Sequence, residues 1–385
     1  GSTNGGGGGV INTGSLALVN TAVSDNSAHQ GGGIYNSGLL SLTNSFASRN
    51  SADFGAGIDN HGRLTLERSS ITSNSGGGIF NHDNQLVTLT NSNISQNSGG
   101  GVVNSGGTLK LTDVFVIENT GGGISQNRGT STLDHVRVED NSTTSLGGGI
   151  FVFQSSMTIR NSTVSGNSAA DGGGIANRDG GDLKIRRSTI VGNSATDRGG
   201  GIFNQVHVRV AARVDIVNST VSGNSARLGG GIYNSGFLDV ASASITNSTI
   251  AHNFASDEGG GVRQEFDEAS ISLKNTLIAL DTAPSGPDAL IDPEGASGAS
   301  FSLIGDGSGS GFTNSNGNLV GTHSSPIDPK IGPLADNGGL TRTHALLAGS
   351  PAINAASSTA CPAIDQRGTP RPQGAGCDIG SFERK

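Results

Sequence analysis

The sequence predicts an all-β protein wound as a parallel solenoid of about eleven coils. Three observations carry that expectation: a recurring glycine phrase, apolar residues at fixed offsets from it, and asparagines at two further offsets. Aligned on its third glycine, the phrase falls at Gly9, Gly33, Gly57, Gly78, Gly101, Gly123, Gly149, Gly174, Gly201, Gly231 and Gly261, with spacings of 21 to 30 residues.

One unit, GGGIFNHDNQLVTLTNSNISQNS (76–98), holds three short runs of alternating character around Ile79–Asn81, Val87–Leu89 and Ile94–Asn97. Alternation is the mark of strands with one face inward. Glycine triplets and abundant Ser, Thr and Asn oppose helices, and the frame of a leucine-rich repeat is missing. Three strands and three bends therefore make one coil. Coils stacked about 4.8 Å apart span roughly 50 Å.

Two inward apolar columns follow. One runs Ile34, Ile58, Ile79, Val102, Ile124, Ile150, Ile175, Ile202, Ile232, Val262; the other runs from Leu18 and Leu42 through Leu89 and Ile185 to Leu273. Asparagines from Asn26 to Asn253 form a third column at a bend. There their side chains can bond along the ladder and their backbone can turn left-handed. A fourth column, from Asn12 and Asn36 to Asn234, ends the first strand. These asparagines are read as scaffold.

Composition narrows the function. The 385 residues include 64 glycines, only 4% aromatics and a formal net charge of −8. That balance opposes nucleic acid, which needs a basic face, and adhesion to anionic lipid. No stretch reaches the roughly 20 apolar residues of a membrane span, and no basic-plus-apolar leader is visible, so no membrane insertion is expected. Cys361 and Cys377, the only cysteines, lie in a Gly- and Pro-rich tail. They suggest one disulfide and an oxidising compartment, with two unpaired thiols as the alternative.

The phrase NSTVSGNSA…GGGIYNSG (Asn218 to Gly236) resembles the repeats of polymorphic outer-membrane proteins. More broadly it is similar to the right-handed parallel β-helix of the pectate-lyase superfamily, over about residues 1–281. The tail, SSPIDPKIGPLADNGGL…CPAIDQRGTPRPQGAGCDIGSFE, resembles over Pro326–Glu383 the C-terminal region of secreted bacterial β-helix proteins of the choice-of-anchor Q type. In that family the region precedes a variable anchoring or secretion signal. The resemblance implies a bacterial cell-surface or extracellular location. It divides the chain into a β-helix (1–281) and an irregular extension (282–385), expected to cap the last coil.

In lyase-like β-helices the substrate lies along an outward strand face. Here the strand after GGG is the matching face, and six aromatics fall on its two outward columns: Tyr35, Phe80, Phe151, Phe153, Phe203 and Tyr233. Flat aromatic faces cover sugar rings and exclude water. The expected function is engagement of a polysaccharide or cell-surface glycan by this stripe. An alternative is a uronate polysaccharide lyase, with His61, His82, Arg178, His207 and Arg263 as candidate catalytic residues; a third reading is end-to-end association into a fibre, against an expected monomer.

His61 and His82 share one position on adjacent coils, with Asp59 and Asp83 near, and can act as bases or share a metal; polar surface is the plainer reading. A second candidate patch comprises His135, Arg137, Arg160, Lys184 and Arg186, around Asp134. No polygalacturonase-type acid set, nucleophile elbow or phosphate loop is present. The calcium-binding nonapeptide is also missing, so no cofactor is assigned and calcium lacks a motif.

Overall fold

The computed structural model describes residues 2–82 and 84–385. Three parallel sheets of 12, 12 and 13 strands run along the molecule and meet at bends, making a solenoid of about eleven turns. The first face runs from Val10–Asn12 to Ala289–Ile291, the second from Ser15–Val19 to Ala296–Ser300. The third runs from Ala22–Ser24 to Leu303–Ile304 and Leu319–Val320. Stacking continues past residue 281: Val262 pairs with Ala289, Leu273 with Ala299 and Leu277 with Leu303.

Identical positions stack because a coil shifted by one residue would turn its apolar set outward. Ile58, Ile79 and Val102 align on the first face, and Leu42, Leu66 and Leu89 on the second. All six are fully buried, in one continuous apolar core. At the C-terminal end, Phe312 and Val320 pack against that core.

The asparagine column is a hydrogen-bonded ladder. Each Oδ1 accepts both the backbone N–H and the Nδ2 of the asparagine one coil before it, as Asn74 does from Asn50 at 3.0 Å each. The bend departs from the sequence reading in one respect. The left-handed residue is the one before each ladder asparagine (Arg49, Ser73, Gln96, Glu118), while the asparagine itself aims its N–H and side chain along the stack. Asp281 ends this ladder, accepting from Asn253 N and Nδ2 at 2.7 and 2.8 Å. The second ladder runs from Asn12 to Gln126, is interrupted at Val152, and resumes from Asn177 to Asn234.

The glycine phrase is steric at each position. At Gly229 the backbone is left-handed (φ +63°); a Cβ on Gly230 would lie 2.3 Å from the Phe254 carbonyl oxygen, and one on Gly231 2.5 Å from that of Gly261. No side chain fits against backbone at those distances.

The extension does more than close the end. Its antiparallel pair, Ile331–Ala335 with Thr343–Leu346, and the segment to Glu383 fold back along the third face. Gln366 Nε2 donates to Thr189 Oγ1 and Thr341 Oγ1, while its Oε1 accepts from Thr220 Oγ1 at 2.7 Å. Ser222 Oγ donates to His344 Nε2, whose Nδ1 donates to the Gly332 carbonyl. Ser381 and Asn275 add further bonds between tail and solenoid. Thr189, Thr220 and Thr249 are consequently buried.

Within the tail, Asp365 accepts from Arg367, Thr369 and Glu383, and buried Arg371 pairs with buried Glu383 at 2.9 Å. Cys361 and Cys377 form a disulfide. Closing 16 residues, it constrains the unfolded tail by about 3 kcal/mol. The double variant Cys361→Ser, Cys377→Ser is expected to lose about 2–4 kcal/mol of tail protection by amide hydrogen exchange, with the early coils unaffected. Equal loss throughout the chain would contradict an independent tail clamp.

Candidate functional site

The expected aromatic stripe divides along its length. Tyr35, Phe80, Phe151 and Phe153 are half-buried, but Phe203 and Tyr233 are 0% and 1% exposed. Their rings stack on each other with centroids 5.6 Å apart. Four extra strands, Ser168–Asp171, Ser194–Arg198, Ser225–Leu228 and Phe254–Glu258, form a small sheet beside this face. Leu228 packs into the cluster, and the Arg198 guanidinium lies 5.3 Å from the Phe203 ring and 5.8 Å from that of Tyr233. Tyr233 donates its hydroxyl proton to Glu265; burial first, then that bond, pushes its pKa well up. These two aromatics are core residues, and neither offers a free face to a ligand.

The candidate catalytic residues do not converge. Arg263 is 7% exposed and held by Glu258 at 2.8 Å and Asp292 at 2.6 Å. Arg178 lies 3.0 Å from Asp179, and Asp179 also accepts the backbone N–H groups of His207 and Val208. The exposed His207 side chain thus sits on a turn pinned by its backbone. Five coil steps, about 24 Å, separate the strand of Ile58, which leads to His61, from that of Ile175, which leads to Arg178.

His61 and His82 do meet. Their rings stack with centroids 3.6 Å apart and planes 17° from parallel. Both Nε2 atoms face the Asp59 carboxylate, His61 at 3.3 Å from Oδ2 and His82 at 2.8 Å from Oδ1. Asp59 occupies the outward column between Tyr35 and Phe80 and is fully buried. Asp83 lies outside the described residues.

The second candidate patch spans two faces joined at Asp134, which pairs with both Arg160 and His135. Arg160, Lys184 and Arg186 lie on the second face, each against a carboxylate: Asp134 at 3.0 Å, Asp182 at 2.7 Å and Asp215, respectively. His135 and Arg137 stand against carboxylates too, Asp134 at 3.1 Å and Glu139 at 2.9 Å, and line a cleft of about 330 Å³ on the third face. Its floor also carries Glu139, Asn161 and Thr163; its wall is the tail segment with Asp336, Leu340, Thr341 and Arg342. The wall is pinned: Thr341 Oγ1 donates to the Arg187 carbonyl, and the Arg342 carbonyl accepts from Thr189 Oγ1.

This cleft ends a longer track. The outward column of the third face runs Phe46, Ser70, Asn93, Phe115, Arg137, Thr163 before the tail covers it at Thr189. Phe46 and Phe115 are 47% and 41% exposed, and the Arg137 guanidinium lies 5.5 Å from the Phe115 ring. Leu340, on the wall, is 64% exposed. Sequence reasoning singled out His135 and Arg137 but not the column to which Arg137 belongs. A signal was available: the varied residues at this position, Phe46, Ser70, Asn93, Phe115 and Arg137, give way to an unbroken run of Thr163, Thr189, Thr220 and Thr249.

No known protein family matches this chain, and no curated protein does either.

Proposed function

We propose that this protein binds a polysaccharide along its third face, as a non-catalytic component of the bacterial surface or its surroundings. The observation that carries the reading is the exposed column from Phe46 to Thr163 leading into the cleft under the tail. Six coil positions at about 4.8 Å give a straight track of roughly 24 Å, suited to an extended chain. Phe46 and Phe115 supply flat apolar faces, and Thr163 and Arg137, the latter held by Glu139 at 2.9 Å with its remaining guanidinium N–H groups to offer, supply polar groups. A pre-formed concave site with a few polar groups is the usual ground for ligand recognition. The disulfide suits an oxidising exterior, and the resemblance of the repeats and tail to secreted bacterial β-helix proteins supports the same location.

Cleavage by β-elimination needs a base and a carboxylate-neutralising cation at one sugar. Among the described residues, the five lyase candidates His61, His82, Arg178, His207 and Arg263 do not converge on one sugar-sized site, which supports the binding reading over a lyase site on the first face.

A glycan array followed by titration with the strongest glycan tests the proposal. Phe115→Ala, Arg137→Ala and Arg342→Ala are each expected to weaken binding about tenfold or more, near 1.4 kcal/mol, whereas Tyr35→Ala on the first face leaves it unchanged. Loss with Tyr35→Ala and none with the other three would return the site to the first face. Absence of binding to every glycan would overturn the proposal.

A further inference from the structure

We propose that Asp59, His61 and His82 hold one divalent transition-metal ion of the zinc class, linking two neighbouring coils. The three ligand atoms, one from each residue, lie within 4.8 Å of one another. Asp59 and His61 come from one coil and His82 from the next, and stacking of the two rings aims both Nε2 atoms at the same carboxylate.

The buried carboxylate is the strongest argument. Burying a charge is costly unless it is paired, and among the described residues no Arg or Lys forms an ion pair with Asp59. Among the described residues, its two oxygens bond to the two imidazoles alone. One divalent ion would supply charge to the carboxylate and use both nitrogens as ligands.

The distances suit this. Zinc takes His nitrogen at about 2.0–2.1 Å and carboxylate oxygen at about 2.0–2.2 Å, so tetrahedral ligands stand about 3.3 Å apart. His61 Nε2 lies 3.3 Å from Oδ2 and His82 Nε2 2.8 Å from Oδ1, with one ligand atom from each residue inside a 4.8 Å span, so binding draws the three together around the ion. The two rings belong to adjacent coils and lie 17° from parallel, and because an imidazole lone pair lies in its ring plane, they tilt toward each other to share one ion.

Donor chemistry selects the ion. Calcium and magnesium prefer all-oxygen shells, whereas two imidazoles with one carboxylate suit zinc and its neighbours. The histidine side chains are about a third exposed, at 31% and 33%. That leaves the outer side open, so the fourth position takes water or an oxygen ligand from solution. Tyr35 lies tilted against His61 and Phe80 tilted against His82, flanking the rings on both sides.

The test uses the full chain, free of any affinity tag and stripped with a chelator, titrated with ZnCl₂ and CoCl₂. One equivalent should bind, cobalt should give visible absorption of tetrahedral type, and X-ray absorption of the zinc form should report two imidazoles with oxygen ligands. His61→Gln and His82→Gln should each lower zinc affinity at least about tenfold. His29→Gln and His323→Gln, which disrupt the two-residue pairs with Asp53 and Asp306, should leave it unchanged. Undiminished zinc binding in the His61→Gln, His82→Gln double variant would overturn the proposal, as would a zinc spectrum without paired imidazoles or no binding at all. If a variant fails to fold, the wild-type absorption spectrum still decides.

Discussion

Asn167→Ala is expected to destabilise the solenoid by about 4 kcal/mol. The side chain is fully buried and makes four hydrogen bonds between coils. Its Oδ1 accepts from Asn141 N and Nδ2 at 2.9 and 3.0 Å; its Nδ2 donates to Asn193 Oδ1 and the Val138 carbonyl, both at 2.9 Å. Alanine leaves the Asn141 donors and the Val138 carbonyl without these partners in a buried bend, at roughly 1–3 kcal/mol for each group left unpaired. Part of that is recovered where water enters from the bend. Because a solenoid transmits stability through neighbouring coils, loss of protection in hydrogen exchange should centre on the coils of Asn141, Asn167 and Asn193. A urea midpoint shift equivalent to less than about 1 kcal/mol, at unchanged slope, would show that the ladder contributes little.

Asp281→Asn is expected to stabilise the last coils, increasingly as pH rises. Asp281 stands where the ladder would place another asparagine. Its Oδ2 is buried without a partner. Burial, then the neighbouring Asp288, hold its pKa well above the usual carboxylate range. Burial likewise pushes Asp288 up to about 7, although its carboxylate accepts the backbone N–H groups of Asp281 and Asp306.

For both groups the folded pKa exceeds the unfolded one. The folded state therefore binds more protons, and stability that is fully present below about pH 4 is lost as pH rises through the folded value. For Asp288 that window is about pH 4 to about pH 7, worth on the order of 4 kcal/mol if the pair unfolds with the coil. An asparagine at 281 removes one of the two acids. Its Nδ2 would point where ladder asparagines donate to a strand carbonyl, as Asn253 does to Val221. Urea midpoints of the two proteins should lie close together at pH 5 and diverge at pH 8 in favour of Asp281→Asn. Parallel curves over that range would contradict the buried-acid description.

Much of the scaffold was readable because solenoid positions repeat a simple physical demand. Ile232 and Asn234 had to point inward on a strand whose copies do the same one coil away, and they do. Tyr233 was misread for an equally physical reason. Alternation tells which side of a strand a residue faces, but not whether a further layer covers that side. The cover comes from segment length: four residues, Ser225–Leu228, separate Asn224 from its glycine phrase, enough for an extra strand, whereas only Ser75 separates Asn74 from Gly76. Arg263 went the same way, because Glu258 and Asp292 reach it from segments far apart in the repeat.

The third-face track was hidden by long-range packing. That Thr189 and Thr220 lie under Gln366 follows from a contact across more than 140 residues, which no local pattern encodes. The Asp59–His61–His82 cluster was half visible. Its two histidines shared a column in the sequence, but the burial of Asp59 between Tyr35 and Phe80 required the stacked coils.

The most direct measurement of where a glycan lies is photo-crosslinking with an oligosaccharide of the bound class carrying a diazirine, followed by peptide mapping. Labels are expected on the third face between residues 115 and 163 and on the tail between residues 336 and 342. Labels confined to the first-face strands, around Tyr35, Phe80 and Phe151, would contradict the proposed track.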